Sequence, residues 1–382
     1  MCFILNFNLI SSGAFASESV FRSISYTQGD FETSSDDWGD NMSAGSNQKH
    51  PSSPTPFGTR CFGKQSPIVL NIDLPIQHPF DAQGIFSFLE ARAIAGVETT
   101  DLSQKDRLIY ARTLMFPSGP GAIRLIARNY GSASWVLKAQ LELQNLRDQA
   151  AAIFRIRRLL NLDADSSAID LNLSRDPALE ASILRTPGIR VPGAVDPHEL
   201  VIRAIIGQQI SVKAARTHLS RLVAQAGAAY TSSFTGLDRI FPAPADIIET
   251  VHDPGADLPL DPDRVLKLPR RSISTLRSAA IALQSGELEV GFESNPQLPR
   301  ESLLRTPGIG PWTAAYLAMR VLGDPDAWMR SDVALVSGAV RLGILEAQTS
   351  KSASHRLLEE YARRWSPWRS YASMHLWQAA SG

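Results

Sequence analysis

Leu303-Leu304-Arg305-Thr306-Pro307-Gly308-Ile309-Gly310-Pro311-Trp312-Thr313-Ala314 is the stretch that decides the fold. Apolar spacing predicts a helix over about 299–305 that must stop at Thr306-Pro307. Gly308 and Gly310 permit a tight turn with positive φ. Pro311 suits the first position of a second helix, expected over about 311–322. Two readings fit this hairpin (about 299–322) when it is taken alone. It is an ordinary αα connection with a glycine bend. Alternatively, the N–H groups left over at the start of the second helix, backed by its dipole, make an anion site that fits a DNA phosphate. Gly308, Ile309, Gly310 and Thr313 would then be DNA-binding positions, and no lysine would be needed.

That last point matters because the charge balance offers no help. The 382 residues carry 38 Lys+Arg and 38 Asp+Glu, so no broad positive field advertises a nucleic-acid partner. Any DNA contact must be local and made largely by the main chain. With 44% apolar residues, the chain can build real cores. Its two cysteines, Cys2 and Cys61, exclude a disulfide framework, a Cys-rich zinc site and a four-Cys iron–sulfur cluster. The Met1–Leu5 run is apolar but lacks the basic flank of a secretory signal, and no stretch is long enough to span a bilayer. A cytoplasmic protein is expected.

Outward from the hairpin the chain divides into three expected parts. Residues 1–65, rich in Ser, Gly, Asn, Asp and Pro, predict a disordered extension. Residues 66–147 predict a small α+β domain. It has strand-like runs at 68–72, 107–114, 121–128 and 134–141 and a helix over about 85–95. From 148 to 382 apolar residues recur at helical spacing, broken by Pro and Gly. Helices are expected near 148–161, 176–184, 196–206, 212–226, 244–252 and 271–284, then through the hairpin to 332–342, 352–364 and 367–379. The fold class is therefore multi-domain and mainly α. Leu184-Arg185-Thr186-Pro187-Gly188-Ile189 echoes Leu304–Ile309; followed by Arg190-Val191-Pro192-Gly193, it reads as a loop and a chance echo.

Several separated motifs share one resemblance. Thr306-Pro307-Gly308-Ile309-Gly310 resembles the helix–hairpin–helix motif. Trp312-Thr313-Ala314-Ala315-Tyr316, the acid at Asp332, and Trp365-Ser366-Pro367-Trp368-Arg369-Ser370-Tyr371-Ala372 resemble DNA-3-methyladenine glycosylase II. Ile205-Ile206-Gly207-Gln208-Gln209-Ile210-Ser211 and Phe88-Leu89-Glu90-Ala91-Arg92-Ala93 do so too. The resemblance covers about residues 66–379 in order. It implies an all-α glycosylase bundle behind the small α+β domain, in the helix–hairpin–helix glycosylase superfamily. It also implies a base pocket walled by Phe88, Trp312, Tyr316 and Trp377, with Gln208 and Gln209 in the segment that plugs the gap left by a flipped nucleotide. A structural Na+ or K+ on the carbonyls of Leu304, Thr306 and Ile309 follows from the same likeness.

The chemistry suits these residues. Breaking an N-glycosidic bond builds positive charge on the sugar, which a carboxylate beneath it can stabilise while orienting the attacking water. Asp332 is the candidate, although Ser331-Asp332 also reads as a helix N-cap. An alkylated purine is cationic, and electron-rich rings attract cations by about 0.5–2 kcal/mol per good contact. Glycosylases of the superfamily that also cut the strand carry a lysine where this chain has Trp312; without that amine no Schiff base forms there. The expected enzyme is a monofunctional hydrolase of alkylated bases (3-methyladenine, 7-methylguanine) acting on damaged double-stranded DNA. It needs no redox cofactor or catalytic metal and works as a monomer. The rival readings are an oxidised-purine glycosylase/lyase of the same fold and a non-catalytic DNA-binding module. Gln209 and Val333 depart from the family pattern, which expects an apolar wedge and an aromatic there. His218 and His375 read as packing residues.

Overall fold

The computed structural model describes residues 67–131, 134–255, 259–292 and 302–381. The expectations for residues 1–65, and for Cys2 and Cys61, lie outside them. The strand-forming runs make one five-stranded antiparallel sheet, ordered β1-β5-β4-β3-β2. The strands are β1 Ile68–Leu74, β2 Glu98–Gln104, β3 Arg107–Phe116, β4 Gly119–Asn129 and β5 Trp135–Leu143. Strands β2 to β5 form a meander, and β1 pairs outside β5, with Leu70 facing Leu141. Helix α1 (Ala82–Arg92) crosses from β1 to β2, started by Asp81, whose carboxylate accepts Gly84 N at 2.8 Å. Strand β2 was not foreseen, because Glu98-Thr99-Thr100-Asp101-Leu102-Ser103-Gln104 lacks the apolar alternation that marks a strand. It forms by pairing with the free edge of β3.

Strand β3 is buried along most of its length because both sheet faces are covered. One face meets α1. Against the other, Ala111 and Ala122 pack with Tyr230, Phe234, Leu237 and Ile240 from the later helical region. Glu142 of β5 anchors that segment, accepting from Tyr230 Oη at 2.7 Å and Ser233 Oγ at 2.6 Å.

From residue 149 the chain is helical, as the periodicity predicts. The helices are α2 Gln149–Leu160, α3 Ser166–Leu173, α4 Pro177–Arg185, α5 Pro197–Ile206, α6 Val212–Ala226, α7 Pro244–Thr250 and α8 Arg270–Ser285. Then come a helical turn over 302–305 (α9), α10 Pro311–Leu317, α11 Val333–Arg341, α12 Lys351–Tyr361 and α13 Arg369–Ser381. Helix α3 was missed; Asp165 caps it, its carboxylate accepting Ala168 N at 3.0 Å. Past Leu317, α10 widens into a π-helical turn, Ala318–Leu322. The echoing segments share more than letters: each ends a helix at Thr-Pro-Gly with its glycine at positive φ, +75° at Gly188 and +85° at Gly308. Only the second is followed by a helix start. Gly188 instead donates its N–H to Asp170 at 2.8 Å.

Two features set the distances around the cleft. The first is a buried ion cluster. Arg112 of β3 meets Glu199 of α5 at 2.6 Å, and Arg203 of α5 meets Glu98 of β2 at 2.5 Å and Glu199 at 2.7 Å. Arg203 also donates to the Arg92 carbonyl at the end of α1 at 3.2 Å. Sheet, α1 and α5 are thereby tied together. The second is the close approach of α11 and α13. A Cβ at Gly338 would lie 2.0 Å from the Leu376 carbonyl oxygen, so glycine is required there. Gly338→Ala is expected to cost about 1–3 kcal/mol of stability through overpacking, read as a lower denaturation midpoint. An unchanged midpoint would contradict the tight crossing.

Candidate active site

Asp332 is the N-cap of α11: its Oδ1 accepts Leu335 N at 2.8 Å. Its other oxygen, Oδ2, accepts Trp312 Nε1 at 2.7 Å, and Trp377 Nε1 reaches Oδ1 at 3.4 Å. The cap and the candidate catalytic carboxylate are thus one group. Ser331, just before it, adopts φ +63°, a costly conformation for a non-glycine residue, and this turns the chain sharply into the helix. Asp332 is 2% exposed, sealed by the two indoles and the helix start. Burial raises its carboxyl above the ordinary aspartate value, against the lowering effect of Leu335, Trp312 and Trp377.

Trp312 stacks on Tyr316, one helical turn on, with ring centroids 5.2 Å apart and planes 12° apart. Phe88 of α1 enters through charge rather than ring stacking. The Arg92 guanidinium sits 3.7 Å and that of Arg320 4.7 Å from its centroid. Arg320 Nη1 also donates to the Tyr316 hydroxyl at 2.5 Å. Burial pushes that hydroxyl up, but Arg320 and Arg92 together pull it below the usual phenol value. Phe88, Arg92, Gly207, Tyr316 and Arg320 line one cavity. Neither Trp312 nor Asp332 lines it, so Tyr316 links the indole pair to this cavity.

The hairpin has the expected shape. Gly308 takes φ +85°, Gly310 is the N-cap of α10 and no side chain caps that helix. A Cβ on Gly308 would lie 2.2 Å from Thr275 Oγ1, so this glycine is demanded by packing on α8 as well as by the turn. Gln208 donates to the Gly308 carbonyl and to Thr313 Oγ1, both at 3.1 Å. It therefore braces the α5–α6 loop against the hairpin. Gln209, exposed at the tip of that loop, takes φ +64°. Of the carbonyls considered for a cation, that of Thr306 accepts Ile309 N at 3.1 Å. Among the described residues no cluster of His, Cys, Asp or Glu could hold a metal.

The sequence comparisons now bear on this geometry. Residues 71–196, from within β1 to the loop before α5, match the AlkA N-terminal domain family. The chain is 38% identical over 308 residues to the probable bifunctional transcriptional activator/DNA repair enzyme AlkA of Mycobacterium tuberculosis (strain H37Rv), across 81% of this chain. It spans 56% of that relative's length. It is 29% identical over 303 residues to DNA-3-methyladenine glycosylase 2 of Escherichia coli (strain K12), 79% of this chain and 94% of the relative. The chain carries an AlkA N-terminal domain and is similar along most of its length to these two proteins. A 3-methyladenine DNA-glycosylase from Archaeoglobus fulgidus shares the fold with a TM-score of 0.61 at 17% identity, across 81% of this chain and 98% of that one.

Within this framework the motifs have distinct tasks. The Trp365–Ala372 run, the most specific part of the resemblance, does not touch Asp332. Trp365 Nε1 donates to Asp176 at 2.8 Å, and Arg369 clamps Asp326 through bonds of 2.8 and 2.7 Å. Tyr371 meets Asn161 at 2.8 Å. These contacts seat α13, which brings Trp377 to the carboxylate. Asp326 is thus an anchor for α13. His375 is a packing residue: it is buried on Ser182 at 2.9 Å and pushed down to about 4 by burial and Arg185. Arg92 and Arg320 were missed as site residues. Their one signal is spacing, each four residues beyond an aromatic (Phe88, Tyr316) on a helix.

A raised carboxyl has a pH consequence. The ionised form of Asp332 is reached only at higher pH, so base release is expected to fall off on acidification at a pH above 3.8, the ordinary aspartate value. The folded state also holds this proton more tightly than the unfolded chain. The group's effect on stability therefore becomes less favourable as pH rises through that interval. Trp312→Phe removes the Oδ2 donor and is expected to move the acid limb to still higher pH, measured as single-turnover release against pH. A limb that stays in place would show that the indole N–H does not support the charge.

Proposed function

We propose that the chain is a monofunctional DNA glycosylase that hydrolyses the N-glycosidic bond of damaged bases flipped from duplex DNA, leaving an abasic site. The observation that carries this reading is the buried Asp332 carboxylate between the N–H groups of two indoles at a helix start. In the proposed reaction Trp312 and Trp377 turn aside from the carboxylate as the sugar of an everted nucleotide arrives. Asp332 then stabilises the positive charge that grows on C1′ and orients the attacking water. Each of the two contacts it gives up, a hydrogen bond to a charged group, is of the order of 1.5–3 kcal/mol, which DNA binding would have to offset.

The remaining assignments belong to the same proposal. The uncapped start of α10, with Gly308, Ile309, Gly310 and Thr313, would receive a phosphate. Gln209, held at positive φ on an exposed tip, would enter the duplex where the flipped base leaves, with Gln208 bracing the loop behind it. Carbonyls of Leu304, Thr306 and Ile309 could share a Na+ or K+, which would rigidify the turn. The enzyme is proposed to act as a monomer in the cytoplasm (on the nucleoid, in a bacterium) without a redox cofactor or catalytic metal. No helix among the described residues is long and apolar enough to cross a membrane.

Trp312 occupies the position of the lyase lysine, and no lysine lines the cavity. This favours an abasic product over strand cleavage. Duplex DNA carrying 7-methylguanine or 3-methyladenine is expected to release the base, with strand breaks appearing only after alkali. Asp332→Asn is expected to lower release at least a hundredfold while DNA binding persists. Breaks without alkali would favour the oxidised-purine lyase reading. Binding without release by the wild-type protein would favour a non-catalytic module.

A further inference from the structure

The loop over residues 207–211, between α5 and α6, is tied at both ends and strained in the middle. At its start Gly207 N and Gln208 N donate to the carbonyls of Arg203 at 2.9 Å and Ile205 at 3.2 Å. At its end Ser211 caps α6, its hydroxyl accepting Ala214 N at 3.2 Å. Between them Gln209 stands at φ +64°. This left-handed conformation is costly for a residue with a side chain and persists only where the surroundings over-determine it. Among the described residues Gln209 itself makes no hydrogen bond. Its neighbour supplies the constraint. The amide nitrogen of Gln208 has two hydrogens, and both go to the hairpin, one to the Gly308 carbonyl and one to Thr313 Oγ1, each at 3.1 Å. These acceptors are firmly placed. Gly308 is fixed by its own φ of +85° and by packing on Thr275, and Thr313 is buried in the first turn of α10. They also bracket the helix start at which a DNA phosphate is proposed to sit.

We propose that Gln208 is a positioning residue that couples two DNA contacts, the grip of the hairpin on a phosphate and the entry of Gln209 into the duplex. A phosphate seated at the start of α10 fixes Gly308 and Thr313. Those two acceptors fix Gln208, and Gln208 holds Gln209 in the left-handed state that leaves its side chain exposed at the loop tip. Because the amide hydrogens of Gln208 are used inside the protein, it acts through its neighbour and the hairpin rather than by touching DNA. Linkage makes the effect reciprocal: filling the gap with Gln209 tightens the hold of the hairpin on the phosphate by the same factor. The strained loop is ordered before the duplex opens, so its ordering cost is not added to the unstacking cost of eversion. This inference rests on the glycosylase reading above, and within it on the entry of Gln209 into the duplex.

A lesion in a base pair has to be everted and its gap filled, whereas a lesion in an unpaired bulge is already free of its partner. Single-turnover release of 7-methylguanine from the two contexts, at saturating protein, therefore isolates the coupling. It is measured for the wild type, Gln208→Met and Gln208→Ala. Both variants remove the amide, Met keeping the length of the side chain, and either one is sufficient if the other does not fold. The ratio of paired to bulged rates is expected to fall at least tenfold, about 1.4 kcal/mol of selective barrier, with the bulged rate little changed. Thr313→Val, which leaves the bond to Gly308, should lower the ratio less. Added to Gln208→Met it should lower the ratio no further, because the shared bond is already gone. A 2-aminopurine next to the lesion reads unstacking without chemistry; its fluorescence should rise on binding the wild type and much less on binding Gln208→Met. Equal losses on paired and bulged DNA would mean that Gln208 serves the fold or the chemistry, and would overturn the proposal, as would an unchanged ratio. A wild-type protein that brightens 2-aminopurine but releases no base would sink the glycosylase reading, while the fluorescence still decides the coupling. A wild type that does neither would sink both.

Discussion

The carboxylate of Asp332 has to satisfy two demands with one pair of oxygens. It closes the first turn of α11 through Leu335 N, which fixes where it stands, and it presents its remaining acceptor capacity to Trp312 and Trp377. A buried acid of this kind would be expelled or neutralised without such donors. With them the carboxylate has partners for its charge although it is almost fully buried. The rest of the chain can be understood as the means of bringing those three side chains together. The hairpin and α10 deliver Trp312, the turn at Ser331 delivers the acid, and α13 delivers Trp377.

The supports lie well away from the carboxylate. Trp365, Arg369 and Tyr371 are spent on Asp176, Asp326 and Asn161, and Gly338 lets α13 press against α11. On the opposite wall, the cluster of Glu98, Arg112, Glu199 and Arg203 joins the sheet to α5. Arg203 further binds the end of α1. Since α5 leads directly into Gly207 and the Gln208–Gln209 loop, that cluster sets how far the loop stands from Phe88. Positioning by buried polar networks is exacting, because each partly lost partner leaves a desolvated group behind.

Two electrostatic environments meet at Tyr316. Toward Trp312 and Asp332 the cleft favours positive charge, as a sugar cation requires. Toward Arg92 and Arg320 it favours negative charge. The aromatic surface that could attract a cationic base is therefore partly claimed: Arg320 lies 5.4 Å from the Tyr316 ring and 4.7 Å from that of Phe88. Selection by ring electron density alone is weakened by these neighbours.

Local rules determined a good deal by themselves. Glycine and proline placement marked the hairpin, helical spacing marked most helices, and strand alternation marked β1, β3, β4 and β5. Asp332 was legible as a helix cap, which the contact to Leu335 N bears out, and the same position near the hairpin is the candidate acid. Strand β2 and helix α3 were not legible, since pairing to β3 and the Asp165 cap outweigh weak local preference. Only the tertiary structure decided that Trp312 and Trp377 grip one carboxylate from helices far apart in the chain, and that Gln208 faces the hairpin rather than solvent. It alone also showed that Arg92 and Arg320 crowd Phe88. Local propensities are written in neighbouring residues, whereas burial, charge compensation and convergence depend on which distant segments the packed core brings within a few ångströms.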